Sequence, residues 1–189
     1  SKVIDLQGLD CVFFSRISPE KGADIVIEAA RRLPGSRFFF YGQIDDSYSR
    51  AFLESVDSLE NVEYLGVFDS VTNGPIRELN KYDLHTFPTR WPNEGVPGVL
   101  VETKMAAVPS VVSNVCYNAE LVRDGIEGVV LAKNNADCLV KVIKGLSANP
   151  VELDALKKGA LASSERFYIE RYIDLLVADL NDGQKEALA

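Results

Sequence analysis

Two glutamates bracket the stretch Glu94-Gly95-Val96-Pro97-Gly98-Val99-Leu100-Val101-Glu102. The first falls in a loop rich in Pro and Gly, and the second falls inside the apolar helix that follows. A helix N-terminus carries backbone N–H groups without internal acceptors and the positive end of the helix dipole, so it attracts phosphate. Carboxylates beside such a terminus can accept hydrogen bonds from the hydroxyls of a sugar or ribose. Arg16 and Lys21 form a second group, within Ser15-Arg16-Ile17-Ser18-Pro19-Glu20-Lys21-Gly22. An arginine fork and a lysine point charge suit the oxygens of a diphosphate. The plain alternatives are a solvated basic pair with Arg16 tied to Glu20, and a helical Glu102 paired with a nearby lysine.

Positioning these groups requires a particular fold. Short apolar runs alternate with helical patterns along the whole chain, which predicts an α/β fold with a doubly wound, Rossmann-like parallel sheet. The expected strands are Cys11–Phe14, Arg37–Tyr41, Val62–Leu65, Asp83–Pro88, Pro109–Ser113 and Gly128–Leu131. Helices are expected over Ala23–Leu33, Ser47–Leu59, Ile76–Asn80, the segment from the Glu94 loop to Ala107, and Ala136–Leu146, with a long one within Val151–Leu180. In such sheets ligands bind beyond the carboxyl ends of the strands. The Arg16–Gly22 loop, Gly42, Gly66-Val67-Phe68 and the Glu94 loop all follow strands, so they should gather on one rim.

Bulk properties narrow the class. With 189 residues, 47% hydrophobic and 25% charged, the chain is long enough for one globular domain. A net charge of −8 and a pI near 4.8 argue against a nucleic-acid partner and against a polybasic membrane patch. Cys11, Cys116 and Cys138 form no CxxC pair and read as reduced, mostly buried thiols of a cytoplasmic protein. No apolar run approaches the roughly 20 residues of a membrane span. His85, the only histidine, lies within a strand and reads as a core residue. Asp45-Asp46 is adjacent rather than spaced as Asp-x-Asp, and reads as a helix N-cap rather than a metal site.

The two groups also occur together with further elements in order. These are Val62-Glu63-Tyr64-Leu65-Gly66-Val67-Phe68, the run Glu94 to Val112, Ala119-Glu120-Leu121-Val122-Arg123-Asp124-Gly125, and Glu127-Gly128-Val129-Val130-Leu131. Over residues 11–145 this series resembles the nucleotide-sugar donor-binding half of the retaining GT-B glycosyltransferases, glycosyl transferases group 1 (glycosyltransferase family 4-like). Members of that group carry a Gly-Arg-Leu or similar element closing in Glu-Lys-Gly, then a Glu-Gly and a second Glu on a helix. Ser15 replaces the usual Gly before the arginine, and Val108 precedes the proline. Val115-Cys116-Tyr117-Asn118 stands where many members have a Gly pair.

The resemblance implies a role for each residue. Arg16 and Lys21 would contact the donor diphosphate and stabilise the leaving group, and Glu94 would hold donor-sugar hydroxyls. Gly95, Val96, Gly98 and Val99 would offer backbone N–H groups to sugar and phosphate, whereas Pro97 has none to give. Glu102 would bond the ribose hydroxyls, and Gly42 and Val67 would line the base. The donor would be a UDP- or GDP-linked sugar, with no metal or other cofactor. The acceptor, a polysaccharide or lipid-linked glycan, would be held mainly by an N-terminal domain that this chain lacks. Any membrane contact would come through that domain. The opening Ser1-Lys2-Val3, without a Met, is then expected of an excised C-terminal domain, with a core over 11–148 and a helical segment over 151–182 that is inactive alone. In that helix Phe167, Tyr168, Tyr172, Leu175 and Leu176 recur at helical spacing, as an apolar stripe for the missing domain or for this one's own sheet.

Other readings remain at this point. One is a non-catalytic nucleotide-sugar binding or regulatory module of the same fold. Another is a glycoside hydrolase using Glu94 and Glu102, which needs carboxyls about 5–10 Å apart. A nicotinamide dehydrogenase is disfavoured because no G-x-G-x-x-G follows the first strand.

Overall fold

The computed structural model describes residues 8–70, 72–170 and 172–173. Among them are the strands β1 (Asp10–Phe14), β2 (Arg37–Tyr41), β3 (Val62–Tyr64), β4 (Leu84–Phe87), β5 (Ser110–Ser113) and β6 (Gly128–Leu131). They form one sheet in the order β3-β2-β1-β4-β5-β6, with every neighbouring pair parallel. A parallel sheet needs helical crossovers that cover both of its faces, which is why these strands are mostly apolar rather than strictly alternating. Cys11, Phe13, Phe38 and Phe40 pack in one core with α1 (Ala23–Arg32), α2 (Ser49–Ser58) and α6 (Ala136–Ala148). Val12 and Tyr41 point the other way, toward Leu79 of α3 (Pro75–Leu79) and Ala106 at the end of α4 (Gly98–Met105). Strand order reverses between β1 and β4, so the loops following these two strands diverge over opposite faces and leave a crevice between them.

The observed elements match the expected ones to within a few residues, with three differences. Asn118–Leu121 forms a short helix α5 where no helix was expected; four residues are too few for a helical period to show. Asp45 accepts hydrogen bonds from the backbone and hydroxyl of Ser47 in the turn ahead of α2, whose N-cap is Tyr48. The long C-terminal helix is interrupted. Helix α7 runs Pro150–Ser163, gives way to a 3₁₀ turn over Ser164–Phe167, and reaches Tyr168 in an extended conformation. Ser163 and Ser164 turn their hydroxyls onto the carbonyls of Ala160 and Leu161, a competition that weakens a helix end. Leu153 and Leu156 of α7 join the core, whereas Tyr168, Ile169, Tyr172 and Ile173 are exposed. Leu175 and Leu176 lie outside the described residues. No helix among the described residues is long and apolar enough to cross a membrane.

A buried carboxylate ties the C-terminal part to the middle of the chain. The Glu127 side chain is fully enclosed, 3.1 Å from Lys104 Nζ of α4 and 2.9 Å from Arg166 of the 3₁₀ turn, with Arg123 at 3.3 Å. Burial opposes its ionisation, but Ser163, the Arg123 N–H and Lys104 outweigh that and hold the carboxyl at about 2. Burial is also the main reason the Lys104 ammonium falls below the usual lysine range. Removing one partner of such a cluster leaves an uncompensated buried charge. Glu127→Ala is therefore expected to lose about 3–5 kcal/mol in urea unfolding at neutral pH. Because the folded carboxyl titrates below an unfolded one (about 4.3), its contribution is complete above that pH and disappears as pH falls toward 2. The deficit of the variant should shrink over the same window.

Candidate functional site

The loop after β1 and the loop after β4 are clasped across the crevice. Arg90 donates its backbone N–H to the Glu20 carbonyl at 2.7 Å and its guanidinium to the Pro19 carbonyl at 2.6 Å. The same guanidinium forks onto Asp24 at 2.7 and 2.9 Å. Gly22 stands at the closest approach, with φ +82°, and a Cβ there would overlap the Pro88 carbonyl. These contacts bring Lys21 and Glu94 together. Lys21 Nζ lies 2.6 Å from Glu94 Oε2, with both side chains only about an eighth exposed (13% and 12%). Thr89 Oγ1 donates to the same carboxylate oxygen at 3.1 Å and accepts from the Trp91 N–H, also at 3.1 Å. Arg16 is exposed, with its guanidinium 5.8 Å from the centre of the Trp91 ring; Lys21 Nζ is 5.9 Å from the same ring.

The following helix completes this side of the rim. Pro97 caps α4 in an extended conformation, so the first turn starts at Gly98 and Val99 with N–H groups that have no intrahelical acceptor. Gly95 and Val96 are exposed in the loop before it. Glu102 is the fifth residue of α4 and half-buried. Burial alone raises its carboxyl above the ordinary range, and no hydrogen bond or ion pair reaches that carboxyl among the described residues. The expected alternative, a lysine partner, is not realised because the nearby Lys104 turns to Glu127.

Gly42 and Val67 belong to the loops after β2 and β3. Gly42 adopts φ +141° and presses on the Ser15 carbonyl, while its N–H donates to the Gly66 carbonyl at 2.9 Å. Ile17 donates to the Gln43 carbonyl at 2.9 Å. Three strand-end loops are thereby stitched side by side. Phe68 packs edge-on against Phe14 and Tyr41, and Val67 beside it is 69% exposed.

Sequence reasoning missed Thr89, Arg90 and Trp91. Their position directly after a strand that ends in proline was the available signal, since such loops form the ligand rim of a doubly wound sheet. His85 is enclosed in the sheet with Nδ1 3.0 Å from Ser110 Oγ, and burial pushes its pKa down to about 3, so it is neutral at ordinary pH. The three cysteines are free thiols; Cys11 is buried, Cys138 half-buried and Cys116 exposed.

Residues 2–162 match the model of the family described as glycosyl transferases group 1. The chain belongs to this family. As a group 1 glycosyltransferase sequence it is 31% identical over 159 residues to the D-inositol 3-phosphate glycosyltransferase of Mycobacterium marinum, covering 80% of this chain and 32% of that protein. It is 27% identical over 144 residues to an uncharacterized 41.2 kDa protein in the cps region of Klebsiella pneumoniae, covering 74% and 37%. The chain thus spans about a third of the length of these curated relatives. In three dimensions it resembles Anabaena HepE in complex with UDP and glucose (TM-score 0.79, 20% identity, 96% of this chain and 53% of that one). It also resembles WaaG, a glycosyltransferase involved in lipopolysaccharide biosynthesis (TM-score 0.68, 22% identity, 84% and 43%). These neighbours share the Rossmann-like architecture of the GT-B fold.

The clasp depends on Gly22. Replacing it with Ala demands a left-handed conformation of an L-residue and forces the two loops apart. Gly22→Ala is expected to lower unfolding stability by about 2–3 kcal/mol, measured by denaturant titration.

Proposed function

We propose that this chain is the donor-binding half of a retaining glycosyltransferase, taking a UDP- or GDP-linked sugar and passing the sugar to a glycan or lipid-linked acceptor. The observation that carries this reading is the meeting of Lys21 with Glu94 beside the free first turn of α4, at the point where strand order reverses. Arg16 and Lys21 receive the diphosphate together with the N–H groups of Gly98 and Val99. Glu94 accepts hydroxyls of the sugar, with Gly95 and Val96 backing it. Glu102, whose carboxyl has no partner among the described residues, accepts the ribose hydroxyls, and Gly42 and Val67 border the base. HepE, which shares the fold, has been solved with UDP and glucose, in keeping with such a ligand.

In the transfer the bond between the anomeric carbon and the diphosphate oxygen breaks, and its electron pair departs with the nucleoside diphosphate. The acceptor oxygen bonds to the anomeric carbon and passes its proton to the departing diphosphate oxygen. Negative charge grows on the leaving oxygens, so fixed cations and N–H dipoles lower the barrier. Two cations supply that charge without a metal in this proposal. Glu94 also acts before the donor arrives, because its bond to Lys21 holds the ammonium at the crevice. The acceptor belongs to a further N-terminal domain, and the protein works in the cytoplasm.

Calorimetric titration with nucleoside diphosphates and their sugar conjugates tests the reading. Saturable binding of at least one conjugate is expected, and no binding by any of them at millimolar concentration refutes it. Glu102→Ala should weaken both nucleotide and conjugate, about tenfold or more for the loss of hydrogen bonds to a charged group. Glu94→Ala should weaken the conjugate more than the nucleotide. Equal losses of both ligands in both variants would contradict the division between ribose and sugar. Binding without transfer when the chain is joined to the N-terminal part of a group 1 relative would favour a regulatory module.

A further inference from the structure

Trp91 is the only tryptophan of the chain, and it stands three residues before Glu94 in the loop that crosses the crevice. A tryptophan is rarely enclosed completely but is usually packed among apolar side chains, and this one is half-buried and belongs to none of the apolar clusters. Its neighbours include the Arg16 guanidinium, the Lys21 ammonium and the Thr89 hydroxyl, all polar or charged. The backbone on either side is fixed. Thr89 Oγ1 accepts the Trp91 N–H, and the Cys116 thiol donates to the Pro92 carbonyl at 2.9 Å. The loop thus presents an indole 5.9 Å from the ammonium that Glu94 holds.

One use for the ring is to hold the two cations. The distances argue against that as its main role. At 5.8 and 5.9 Å both cations stand at the outer limit, about 6 Å, at which a ring attracts a cation appreciably. Lys21 already has a stronger partner in Glu94. The chemistry that fits the indole better is a pyranose ring. Such a ring has an apolar C–H face that lies on an aromatic plane and a rim of hydroxyls that need acceptors, and Trp91 and Glu94, which share Lys21 as a neighbour, offer these two surfaces.

We infer that Trp91 is the stacking platform for the pyranose of the donor, a specificity-determining contact made to the sugar and not to the nucleotide. This rests on the donor-binding reading above. The indole and the Glu94–Thr89 pair would hold the sugar by face and by edge, while the cations turn to the diphosphate.

The test compares the chain with Trp91→Ala and Trp91→Phe, using UDP, GDP, UDP-glucose and GDP-mannose as probes. Thermal unfolding verifies that the variants are folded. The conjugate that binds should bind tighter than its parent diphosphate. Trp91→Ala should weaken that conjugate about tenfold, the scale of an aromatic stacking contact, and the parent diphosphate less than about twofold. Trp91→Phe should keep most of the affinity. Fluorescence of the single tryptophan should change more with the conjugate than with the diphosphate. Equal losses for both ligands, or a conjugate no tighter than its diphosphate, overturns the platform and leaves the donor site standing. No binding of any probe to the unmodified chain overturns both.

Discussion

The ion pair between Lys21 and Glu94 is the contact on which the rest of the site depends. Its two members are 73 residues apart and come from loops that follow different strands. They meet because β1 and β4 are neighbours in the sheet while their connections run to opposite sides. The sheet order opens the crevice, and the Arg90–Asp24 fork and the close approach at Gly22 set its width. A largely enclosed ammonium or carboxylate is costly to leave unpaired, and the 2.6 Å contact gives each a partner. The pairing also means that neither loop can be placed without the other.

Helix α4 carries a second set of constraints. In the proposed donor site its first turn stays open for a ligand and the Glu102 carboxylate stays available, although a lysine follows two residues later. The fold resolves this by drawing Lys104 inward to the enclosed Glu127. That arrangement is expensive in desolvation, and Arg166 and Arg123 help to satisfy the same carboxylate. One buried anion therefore fixes the helix that bears Glu102 and secures the turn that ends α7. The same geometry leaves exposed apolar side chains beyond that turn, at Tyr168, Ile169, Tyr172 and Ile173.

Much of the fold was legible because parallel strands enclosed on both faces are continuous apolar runs, and Cys11–Phe14 and Arg37–Tyr41 read that way directly. The loops of the rim were legible for a related reason, since Gly, Pro and charge cluster where an apolar run stops. The break at Ser164 was not. Apolar spacing through Tyr168 and Tyr172 continues the helical period, and periodicity is blind to serine hydroxyls bonding carbonyls and to an arginine drawn toward a distant glutamate. Helix α5 escaped because it is a single turn.

The alternation of strands and helices, the set of charged residues on strand-end loops, and the likeness to group 1 glycosyltransferases are all readable along the chain. These are local properties, carried by residue type and short spacing. Which charges pair follows from how the chain packs in three dimensions. Lys21 takes Glu94, Arg90 takes Asp24 and Lys104 takes Glu127, which leaves the Glu102 carboxylate without a partner among the described residues and Trp91 half-buried beside two cations. The physical reason is range. An ion pair forms only where two groups come within a few ångströms, and for residues far apart in the chain that distance is set by strand order and loop direction, which no local pattern encodes.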